Sequence, residues 1–222
     1  MARAGRAPDA RWYLRDVALR KFAPVVDETV LTLRAWGDLP EDEAGELVDG
    51  RLVQDEEATV AHEVVVGWLA TLFRSWIVRR GGLVLGSEAK LALRARRGRK
   101  PDLSIFLPGQ PRPSGSVSLI EVAPSIVVEV ASPRPRDVRR DRVEKLDDYA
   151  AFGVPFYWIL DPAVRSLEIY ELSDDRRYVR SLSAAAGLLK SVPRCRGLKV
   201  DLDALWAEIE AIDRPVRRGR AR

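Results

Sequence analysis

The chain has 222 residues, 46% of them hydrophobic and 32% charged, which suits one α/β domain with its own core. One histidine and one cysteine, Cys195, exclude an internal disulfide and a zinc site built mainly from imidazole and thiolate; any metal must be a hard ion held by carboxylates and carbonyls. The net charge of +4 belongs to the ends: residues 1–23 carry six cations against Asp9 and Asp16, residues 214–222 carry five arginines and no acid, and residues 24–213 are left at −5.

Residues 1–23 read as a basic, poorly ordered extension, with at most a short helix over 11–22, and 214–222 as an Arg-rich disordered tail. Such tails can grip phosphates. Arg supplies 31 of the 37 cations, however, so they are read first as the bias of a GC-rich genome. The first twenty residues hold arginines and no apolar core, so no secretory signal is expected, and a single thiol suits a reducing cytoplasm. The longest apolar stretch, 64–73, is far short of a membrane span.

The folded domain is expected over 24–213. Residues 29–36 predict a helix stopped by Gly37 and Pro40. In GELVDGRLV, residues 45–53, two apolar runs flank Asp49-Gly50, a hairpin signal that places Glu46 on the first strand. Apolar residues at 64, 65, 68, 69, 72, 73, 76 and 77 predict a long amphipathic helix over 58–80, halted by Gly81-Gly82. Strands follow at 83–86 and 89–93, then a basic loop over 94–100, a strand over 101–107 and a Pro/Gly loop over 108–115. The β-branched run SIVVEVA, 125–131, predicts a central, buried strand. A helix over 137–152, a buried strand over 154–160, a hairpin of 166–172 with 178–182 and a terminal helix over 201–212 complete the order. There is no internal repeat, and the alternation is that of an α/β fold with a mixed sheet.

Several chemistries are absent by motif: no G-x-S-x-G elbow, no G-x-x-x-x-G-K-[ST] loop and no G-x-G-x-x-G turn occurs. What stands out instead is two acids placed in strands, Asp102 in KPDLSIF and Glu129 in IVVEVAS. A carboxylate in an apolar strand is costly unless it is paired or ligated. For Glu129 alone a structural salt bridge and a metal site are about evenly matched. The pair is more telling, because "PD" followed by an acid inside an apolar strand outlines the PD-(D/E)xK nuclease pattern. That pattern sets a lysine two residues beyond the acid, where this chain has Ala131. The next helix offers a substitute. At about 100° per residue, Lys145 falls inside the apolar arc of Val138, Tyr149 and Phe152. Asp141 is on the same edge to orient it, and Arg142 is the competing cation.

Taken together, GELVDGRLV, His62 opening the long helix, KPDLSIF, APSIVVEVASP, RRDRVEKLDDYAAFGVPFYWILDP and GLKVDLDALW resemble the Uma-two restriction endonuclease family of the PD-(D/E)xK superfamily, from about residue 31 to 209. The resemblance implies a restriction-endonuclease-like core, a mixed β-sheet flanked by helices. It also implies Mg²⁺-dependent (or Mn²⁺-dependent) hydrolysis of phosphodiester bonds in nucleic acid, DNA being the expected substrate. In that pattern the lysine has moved to the helix, matching Lys145. By that resemblance Asp102, Glu129 and the backbone carbonyl of Val130 would hold the metal, and Glu46, the early acid, would bind the ion through water or hold a second one. His62 is carried as a site-edge residue. The sequence departs from the pattern at Phe156, where the family usually has Glu. Trp68, Trp76 and Trp158 are read as core rather than as platforms for bases. Two other readings stand beside the endonuclease: a catalytically silent nucleic-acid-binding or regulatory module on the same fold, favoured by the acidic body, and an unrelated carboxylate–metal hydrolase of small phosphate esters. A homodimer is expected, since two sites would serve the two strands of a duplex.

Overall fold

The computed structural model describes residues 30–40, 43, 45–54, 58–132 and 140–212. The basic extension over 1–23, its short helix and the 214–222 tail lie outside the described residues. The first helix, α1, is Leu33–Gly37, shorter than the sequence suggests because Thr32 is its N-cap and accepts from the Ala35 N–H at 3.2 Å. Strands β1 (Glu46–Val48) and β2 (Arg51–Val53) form the expected hairpin. Its two turn residues, Asp49 at φ 53° and Gly50 at φ 83°, adopt the left-handed conformation that a two-residue turn requires. Helix α2, Val60–Ile77, is capped by Thr59 and runs on through a 3₁₀ turn at Val78–Arg80 to Gly81.

Strands β3 (Leu83–Leu85), β4 (Lys90–Arg94), β5 (Arg97–Arg99), β6 (Leu103–Phe106), β7 (Leu119–Ile120) and β8 (Ile126–Val130) follow. The expectation of a basic loop over 94–100 is corrected here, because β4 and β5 form a hairpin. The arginines hid it: charged side chains break the alternation that marks a strand, and they are tolerated because acids from elsewhere in the fold neutralise them. Gly98 is the one position in β5 where a side chain could not stand, as a Cβ there would collide with the Trp36 ring. Asp102 is likewise corrected from a strand position to the residue just before β6.

Beyond β8, a π-helical turn at Arg140–Glu144 leads into helix α3, Lys145–Phe152, which ends at left-handed Gly153. Strands β9 (Phe156–Asp161), β10 (Ser166–Leu172), β11 (Tyr178–Ala184), β12 (Leu188–Leu189) and β13 (Val200–Asp201) and helix α4 (Leu202–Ile212) complete the described chain. Six strands pair in the order β11-β10-β9-β8-β6-β3, and five in the order β2-β1-β5-β4-β7. Within the larger sheet only β8 and β9 run parallel, so the sheet is mixed, with β8 inside it. A third, two-stranded sheet joins β12 and β13.

Strand alternation divides the core. Ile126, Val128 and Val130 of β8 and Trp158 of β9 pack with Val65, Leu69 and Phe73 of α2 and Trp206 of α4. The opposite face, with Val127, Tyr157 and Ile159, packs on Tyr149 of α3 and on Leu91 and Ile120 of the smaller sheet. Each such side chain contributes roughly 1.5–3 kcal/mol by leaving water. Trp158, fully buried against Phe73, is core as expected, while Trp68 and Trp76 are partly buried against the same core. Phe156 joins the α2 side, on the opposite face from Glu129. Among the described residues no helix is long and apolar enough to cross a membrane.

Candidate active site

Glu129 shares the α3-side face of β8 with Val127, and there it is only 3% exposed. Its carboxylate is spanned by two donors one helical turn apart on α3. Lys145 Nζ donates to Oε2 at 2.8 Å, and Tyr149 Oη donates to Oε1 at 2.6 Å. The Lys145 ammonium lies where three carboxylates converge: besides Glu129 it meets Asp141 Oδ1 at 3.2 Å and Glu46 Oε1 at 3.8 Å. Lys145 thus faces inward with Asp141 beside it. Arg142, the competing cation, points away and pairs with Glu168 and Asp161 on β10 and β9.

Glu46 on β1 is fully buried. It accepts from Arg99 Nη1 at 2.6 Å and from the Lys100 N–H at 3.1 Å. Arg99, 0% exposed, reaches on to Asp148 of α3, donating from Nη2 at 2.6 Å and from Nε at 2.8 Å. Arg97 and Arg94 also face Asp148, at 3.2 and 3.7 Å. Arg99 and Asp148 therefore tie the smaller sheet to α3 beneath the acid cluster. Sequence alone does not point to either, because Arg99 lies in a stretch that reads as a basic loop. The helical period puts Tyr149 on the apolar arc with Lys145 and carries no signal that its hydroxyl is a polar partner of Glu129.

Asp102 approaches from the other side. The β6–β8 register pairs Leu103 with Val128, and one further step sets Asp102 beside Glu129. Asp102 Oδ2 accepts from the Val130 N–H at 2.6 Å, and Oδ1 faces His62 Nε2 at 3.3 Å. His62, near the start of α2, thus reaches the edge of the acid pair, with its other ring nitrogen 3.3 Å from Glu63.

The electrostatics follow from this packing. Burial, together with the charges of Asp102, Asp141 and Glu46, pushes the Glu129 carboxyl up to about 8 against the opposing pull of Lys145. Burial alone would pull the Lys145 ammonium down, but the Glu129, Glu46 and Asp141 carboxylates outweigh it and hold the group protonated above the ordinary lysine range. Burial would also raise Glu46, yet Lys145, Arg99, the Lys100 N–H and Arg140 together leave it below the usual carboxylate range. Contact with Asp102 and Glu63 overcomes burial to raise the His62 imidazole.

The family model described as "Uma2: Putative restriction endonuclease" matches residues 27–203. The chain belongs to this family. A crystal structure of "a putative nuclease belonging to DUF820" from Anabaena variabilis ATCC 29413 is similar to this Uma2 chain, with a TM-score of 0.65 and 17% identity over 81% of this chain and 99% of that one. At that identity the likeness is one of fold. A search of curated proteins finds no match. In this chain Glu46 of β1, Glu129 of β8 and Lys145 of α3 come together in a buried cluster, with half-buried Asp102, just before β6, at its edge.

Proposed function

We propose that this cluster is the centre of a metal-dependent endonuclease that hydrolyses phosphodiester bonds in DNA. The observation that supports it most is Asp102, just before β6, accepting from the Val130 N–H next to Glu129, with the buried Lys145 ammonium hydrogen-bonded to Glu129. The donor set is all hard oxygen, as Mg²⁺ or Mn²⁺ requires, and the burial and neighbouring carboxylates that raise Glu129 leave it in a setting that a divalent cation relieves. Among the described residues no three acid or histidine side chains are grouped to hold an ion. Two carboxylates with water and a carbonyl suffice for Mg²⁺, and Asp102, Glu129 and the carbonyl of Val130 would be those groups, with Glu46 acting through water. When bound, the ion supplies a Lewis acid for the phosphate and acidifies water.

The chain's own residues do the rest. Lys145, held protonated, serves as a fixed cation that orients the attacking water and balances charge developing on the phosphate, a role worth about 3 kcal/mol. Asp141 and Tyr149 hold Lys145 and Glu129 in place. His62 fixes the rotamer of Asp102. Two copies acting together would cut both strands of a duplex, which sedimentation at micromolar concentration tests.

The deciding experiment incubates plasmid, single-stranded DNA and RNA with the protein and Mg²⁺ or Mn²⁺, beside Asp102→Ala and Lys145→Met. Ion-dependent cleavage of DNA by the wild type, lost in both variants, is expected. Absence of cleavage by the wild type with either ion overturns the proposal; retained binding without cleavage would favour the silent module.

A further inference from the structure

Among the described residues, the cations around the acid cluster are paired, with one exception. Lys145 bonds to Glu129 and Asp141, Arg99 to Glu46 and Asp148, and Lys100 to Glu88. Arg140 opens the π turn directly before Asp141. Its Nε and Nη1 are shielded from solvent and have no hydrogen-bond partner, and among the described residues it forms no ion pair. Its charge nonetheless acts on the cluster, adding to the lowering of Glu46 and opposing the raising of Lys145. Buried unpartnered donors are rare in native structures and costly. A guanidinium cannot relieve that cost by losing its proton. A cation left without a partner beside carboxylates that engage the other described cations is suited to an anion that comes and goes.

We infer that the Arg140 guanidinium is a phosphate-binding subsite at the edge of the acid cluster. Identification of that phosphate as a phosphodiester rests on the nuclease reading above; the anion site itself does not. A tetrahedral phosphate offers several acceptor oxygens and matches the donor geometry of Arg better than that of Lys. Arg140 would hold a substrate phosphate while Lys145 stays with the carboxylates.

The test melts wild type, Arg140→Met, Arg140→Lys and the surface control Arg79→Met without metal. Inorganic phosphate is compared with sodium chloride of equal ionic strength, and the arginine Nε–H resonances are followed by NMR. Phosphate at ten times its dissociation constant should raise the wild-type melting temperature by about 3 °C and shift one arginine Nε–H resonance. Both effects should vanish in Arg140→Met, weaken in Arg140→Lys and persist in Arg79→Met. A wild type indifferent to phosphate, or an Arg140→Met protein that still responds, overturns the subsite. A second arm measures Mg²⁺-dependent cleavage of a labelled oligonucleotide, where Arg140→Met should raise KM at least about tenfold with a smaller change in kcat. Phosphate binding through Arg140 in a protein that cuts nothing sinks the hydrolysis and keeps the subsite. Cleavage with an unchanged KM in Arg140→Met sinks the subsite and keeps the hydrolysis.

Discussion

Replacing Arg99 with Met should unlock the floor of the acid cluster. The side chain is fully buried and neutralises two acids at once, Glu46 on β1 and Asp148 on α3, through three hydrogen bonds of 2.6–2.8 Å. Breaking a buried ion pair by removing one partner typically costs 3–5 kcal/mol, because the remaining charge is stranded. Asp148 would keep Arg97 and Arg94 at 3.2 and 3.7 Å. Glu46 would keep the Lys100 N–H, the more distant Lys145 and the charge of Arg140. The expected loss therefore lies at the low end, about 3 kcal/mol. For a chain of this size that lowers the melting temperature by roughly 6–12 °C. The companion variant Arg99→Met/Glu46→Gln removes the stranded charge and should recover about half of the loss. Thermal and urea unfolding of wild type, both singles and the double measure this as a cycle. An Arg99→Met protein within 0.5 kcal/mol of wild type, or a double variant no more stable than Arg99→Met, refutes the view of Arg99 as the counter-charge of Glu46.

Gly98→Ala should destabilise by about 1–3 kcal/mol, because its Cβ meets the Trp36 ring on a strand that cannot retreat; urea unfolding followed by tryptophan fluorescence reads it. Cys195 is buried, and burial pushes its thiol up to about 12, so a thiol reagent at pH 8 should label the native protein slowly and the urea-unfolded protein at once with one equivalent. Glu168 is held below the usual carboxylate range, where burial is outweighed by hydrogen bonds from Arg142 and Arg180. A depressed carboxyl pKa contributes stability above the unfolded value of 4.5 that is lost as pH falls through the folded value. Glu168→Gln should therefore be less stable than wild type at pH 7, by no more than about 1 kcal/mol because its partner Arg180 is exposed, and the gap should close in acid.

Much of this protein was legible in its sequence because the signals are local. Asp49-Gly50 between apolar pairs specifies a hairpin through backbone conformations that only a few residues adopt cheaply. The spacing from 64 to 77 specifies a helix by its period, and SIVVEVA specifies a buried strand by its β-branching. Lys145 was placed inward by the same helical period, and its contact with Glu129 follows from it. The stretch 94–100 was not legible, since a strand made of arginines is stable only when acids from elsewhere neutralise it. Its meaning depends on Asp148, far along the chain, folding back beneath β5. Tyr149 as a donor to Glu129, Arg142 turned away to Glu168 and Arg140 left without a partner are likewise decisions of tertiary packing. Periodicity tells which face of an element is buried. Which charge meets which is settled only when distant segments are brought within a few ångströms, because a buried charge takes its stability from partners that local sequence does not name.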